Sequence, residues 1–119
     1  MSRALASFYD LRAGEIAATV ISRLETYIAA RVSEGFTVIG MTIPHCGENS
    51  AAYPGLIPVG FNAKADTINA ALRANTALAA LVDVAADTKL NNYLDPVYRS
   101  EFDELHWTPF AGRGTRRGF

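Results

Sequence analysis

Apolar residues recur with a helical period near the start of the chain. Ile16, Val20, Ile21, Leu24, Tyr27, Ile28 and Val32 fall on one stripe, and Arg23, Glu25, Arg31 and Glu34 lie largely off it. The spacing predicts a helix from Glu15 to about Gly35. Gly35 is placed to end it, since glycine enters the left-handed conformation without a Cβ clash. The stripe reads as core packing. The period then changes. Phe36-Thr37-Val38-Ile39-Gly40-Met41-Thr42-Ile43 is short, β-branched and apolar nearly throughout. It predicts a strand buried on both faces, as in a parallel sheet covered by helices. Pro44 ends it, because proline has no N–H for the ladder.

Residues 44–61 are broken by Pro44, Gly47, Pro54, Gly55, Pro58 and Gly60 and predict a long loop. Loops of this length in compact domains often carry function. This one holds His45, Cys46, Glu48, Asn49 and Ser50. Asn62 is placed to cap a second helix, with Phe61 before it as a staple residue. Ala65, Ile68, Ala71 and Leu72 give that helix an apolar face. Leu78 to Val84 predicts a second buried strand, starting near Ala80. Asp87 and Thr88 open another loop, and Pro96 limits any long helix over 89–102. Residues 1–14 read as an irregular N-terminus and 113–119 as a loose basic tail. The order helix, strand, helix, strand predicts an α/β fold with a parallel sheet in one domain, 1–119. In such sheets ligands bind beyond the carboxyl ends of the strands.

Composition narrows the function. The chain has 119 residues, half of them hydrophobic and 19% charged, which is globular and not disordered. A net charge of −1 gives no general attraction to nucleic acid. No apolar run reaches the length of a membrane span, and no signal peptide is legible, so the default location is cytoplasmic. One cysteine rules out an internal disulfide and a cysteine-based zinc site. No metal or cofactor is expected. The chemistry-bearing stretch is Asp103-Glu104-Leu105-His106-Trp107-Thr108. On a turn, Asp103 can hold one imidazole nitrogen of His106 and leave the other free as a general base. Cys46 reads as an ordinary loop cysteine, Ser50 as an ordinary loop serine and Asp83 as a strand-end aspartate. Arg113, Arg116 and Arg117 read as solvated.

Four segments carry a family resemblance. They are Asp10-Leu11-Arg12-Ala13-Gly14, Val38 to Pro44, the pair Ile68–Arg73 and Leu81–Val84, and Asp103-Glu104-Leu105-His106-Trp107-Thr108-Pro109. In this order and spacing, Leu11 to Gly112 resembles the C-terminal half of an SGNH (GDSL-type) hydrolase. The resemblance implies a flavodoxin-like three-layer fold, only part of which these residues would form. It implies hydrolysis of esters by a serine nucleophile on a small-molecule or acylated substrate. His106 matches the general base and Asp103 the residue that orients it. Three features depart from the family. There is no Gly-Asp-Ser-like segment, Tyr9 stands where the oxyanion-hole asparagine is expected, and a basic tail follows Phe110. The reading is therefore a fragment or degenerate member. Its alternatives are a non-enzymatic binding protein and one half of a split esterase completed by a second chain. A two-strand sheet is too small to stand alone, so self-association or a complementing chain is expected.

Overall fold

The computed structural model describes residues 10–51 and 54–97. Helix α1 spans Ala17–Ser33, strand β1 Ile39–Met41, helix α2 Phe61–Ala74 and strand β2 Ala80–Val82, followed by a 3-10 turn at Val84–Ala86. Strands β1 and β2 pair in parallel, with Ile39 opposite Ala80, Gly40 opposite Leu81 and Met41 opposite Val82. Helix α2 makes the crossover between them, and α1 packs on α2. The chain is thus mixed α/β with a parallel two-strand sheet among the described residues.

Helix α1 ends as its sequence predicts. Gly35 has φ 92°. Its N–H donates to the Val32 carbonyl at 3.0 Å, and the Phe36 N–H donates to the Arg31 carbonyl at 3.0 Å. These two bonds satisfy carbonyls that the last helical turn leaves open. The stripe is buried at its centre, through Val20 and Ile28, while Ile16 is 63% exposed and Val32 40%. Just before α1, residues 10–12 are helical and Leu11 is fully buried, where the sequence pattern reads irregular.

Both strands are shorter than the apolar runs that encode them. The expectation that residues 36–43 are buried on both faces does not hold: Phe36 is 62% exposed and Ile39 51%. The cause is the edge position of β1. Its partner on one side is β2, and no described strand lies on the other. Thr42 and Ile43 are buried, but beyond the strand. The core is instead built from Leu11, Val20, Ile28, Ile43, Cys46, Ile57, Phe61, Ala65, Ile68 and Leu72. It lies between the two helices and the loop that follows β1.

Helix α2 starts two residues earlier than expected. Its N-cap is Gly60 at φ 93°, with no side-chain cap, and Phe61 is a buried core residue of the first turn. Asn62 is therefore not the cap. Its own N–H donates to Glu48 Oε2 at 2.6 Å. A carboxylate from the preceding loop thus takes the orphan donor and faces the positive end of the helix.

A polar lattice at the carboxyl edge of the sheet

One face of α2 carries Asn62, Asp66 and Asn69, at i, i+4 and i+7, which stacks them along the helix. All three reach the loop that follows β1. Asn69 Oδ1 accepts the Ile43 N–H at 2.8 Å, and its Nδ2 donates to the Ile43 carbonyl at 2.8 Å. Asn62 repeats the arrangement on Cys46: Oδ1 accepts the Cys46 N–H at 2.9 Å, and Nδ2 donates to the Cys46 carbonyl at 2.8 Å. Each amide does for one loop residue what a neighbouring strand would do. Between them, Asp66 Oδ1 lies 2.6 Å from His45 Nε2. Asn69 is 1% exposed, so its two bonds satisfy backbone groups that no water reaches.

The loops after the two strands are tied to each other. The His45 N–H donates to Asn91 Oδ1 at 2.8 Å. Thr42 Oγ1 donates to Asp83 Oδ1 at 3.0 Å and accepts the Ala85 N–H at 3.0 Å. Arg73 at the end of α2 grips the same carboxylate with Nε at 2.8 Å and Nη2 at 2.9 Å. The Arg73 hydrogen bonds hold the Asp83 carboxyl below the usual carboxylate range, and the Thr42 hydroxyl adds to that. The guanidinium of Arg73 is raised by the same contact. After β2, aspartate and asparagine side chains organise successive turns. Asp87 Oδ1 accepts the N–H groups of Lys89 and Leu90, Asn92 Oδ1 that of Leu94, and Asp95 Oδ1 that of Val97.

The residues singled out from sequence fall into two groups. Asp103 and His106, with Tyr9 and the C-terminal arginines, lie outside the described residues. Those in the loop after β1 are described, and their roles are specific. His45 pairs with Asp66 at the carboxyl edge, with its side chain 29% exposed. Cys46 is 1% exposed, with Sγ 3.8 Å from the Pro44 carbonyl, which removes it from contact with a substrate. Glu48 holds the start of α2. Asn49 adopts φ 49°, its N–H donates to the Ile57 carbonyl at 2.7 Å, and its Oδ1 accepts the Gly55 N–H at 3.0 Å. The residues missed from sequence are Asp66 and Asn69. Their signal was a polar line beside the apolar face of α2.

Among the described residues the arrangement supplies a rigid edge and a histidine–carboxylate pair able to hold or pass a proton. No group of three or more potential metal ligands occurs among them. No described helix is long and apolar enough to cross a membrane. No protein-family profile, no curated protein and no solved structure matches the chain.

Proposed function

We propose that this chain is an SGNH-type ester hydrolase-like protein in which His106 is the general base and Asp103 its orienting carboxylate. The observation that carries the reading is the parallel pairing of β1 with β2 across α2. These are three of the elements that the resemblance requires, in the required order. The edge lattice adds support, because it ties the loops after both strands together at the end of the sheet where α/β proteins bind ligands. In this reading the two strands are neighbours in a larger flavodoxin-like three-layer sheet.

The chemistry follows from the residue types. Asp103 holds one imidazole N–H of His106, and the free nitrogen takes a proton from the attacking hydroxyl and returns it to the departing alkoxide. The 119 residues contain no Gly-Asp-Ser segment, so in this reading the attacking hydroxyl comes from outside them. Without it no acyl-enzyme forms.

Two measurements test the proposal. In an NMR titration of the imidazole signals, Asp103→Asn is expected to lower the midpoint of His106. An unchanged His106 overturns the pairing. In an assay with a small activated ester, the chain alone is expected to match its His106→Ala variant. Turnover that His106→Ala removes would place the nucleophile within this chain.

A further inference from the structure

We draw no further inference here: the strongest candidate, the apolar groove between helix α1 and the edge of β1, carries nothing because nothing in the structure shows what covers it.

Discussion

The side-chain amide of Asn69 closes a two-bond ring with the backbone of Ile43, 26 positions earlier, with both bonds at 2.8 Å. Both partners are buried. The ring continues the strand ladder past Met41 by substituting a helix side chain for a neighbouring strand. Asn69→Leu keeps the branched heavy-atom shape and removes both bonds. It leaves the Ile43 N–H and carbonyl without partners, at about 1–3 kcal/mol each. The expected loss is about 2–4 kcal/mol, after part is recovered by the apolar side chain, read from urea melts. A loss under about 1 kcal/mol would mean that the loop re-pairs elsewhere.

Asn62 and His45 separate the buried part of the lattice from its rim. Asn62→Ala removes two bonds to Cys46 from a half-buried site, and an expected loss of about 1–2 kcal/mol follows. His45→Ala removes a pair whose aspartate is 63% exposed. Such pairs are worth about 0–1 kcal/mol, so chemical denaturation should barely register it. A larger effect for His45→Ala than for Asn62→Ala would reverse this ranking.

The Arg73–Asp83 pair predicts a pH dependence. The folded state holds the Asp83 carboxyl below its ordinary value. The unfolded chain binds that proton first as pH falls. The pair's stabilisation is therefore complete above the unfolded value near 3.9 and is lost as pH falls through the lower folded value. Arg73 is 43% and Asp83 30% exposed, which limits the pair to about 1 kcal/mol. Arg73→Gln is expected to cost that much at pH 7 and progressively less below about pH 4. A cost that stays constant into acid would show that Arg73 acts through packing alone.

Gly40 sits at the centre of β1, where an added Cβ would lie 2.9 Å from Leu78 Cδ1 and 3.2 Å from Leu81 Cδ1. Both obstacles are ends of flexible side chains. Gly40→Ala is thus expected to be tolerated at a cost of about 1–2 kcal/mol, and Gly40→Val at clearly more. Thermal melting distinguishes the two. Equal stability of the three forms would show that Leu78 and Leu81 move aside freely.

The sequence by itself determined the elements, because each rests on local chemistry. The α1 stripe and Gly35 fix a helix and its stop within one stretch of chain. The apolar runs around Val38–Met41 and Ala80–Val82, separated by one helix, dictate an α/β order. Two things were decided only by the tertiary structure. One is where the strands stop being covered: a continuous apolar run looks the same on a central strand and on an edge, so Phe36 and Ile39 read as buried when they are exposed. The other is the lattice. Asn62 has the local signature of a cap, yet its amide is spent on Cys46, and a carboxylate from Glu48 holds the helix start. These contacts join residues 14 to 26 positions apart, and no local pattern encodes which loop N–H a helix amide will meet. Parallel packing of β1 and β2 folds the loop after β1 back over α2, and only then do Asn62, Asp66 and Asn69 face Cys46, His45 and Ile43.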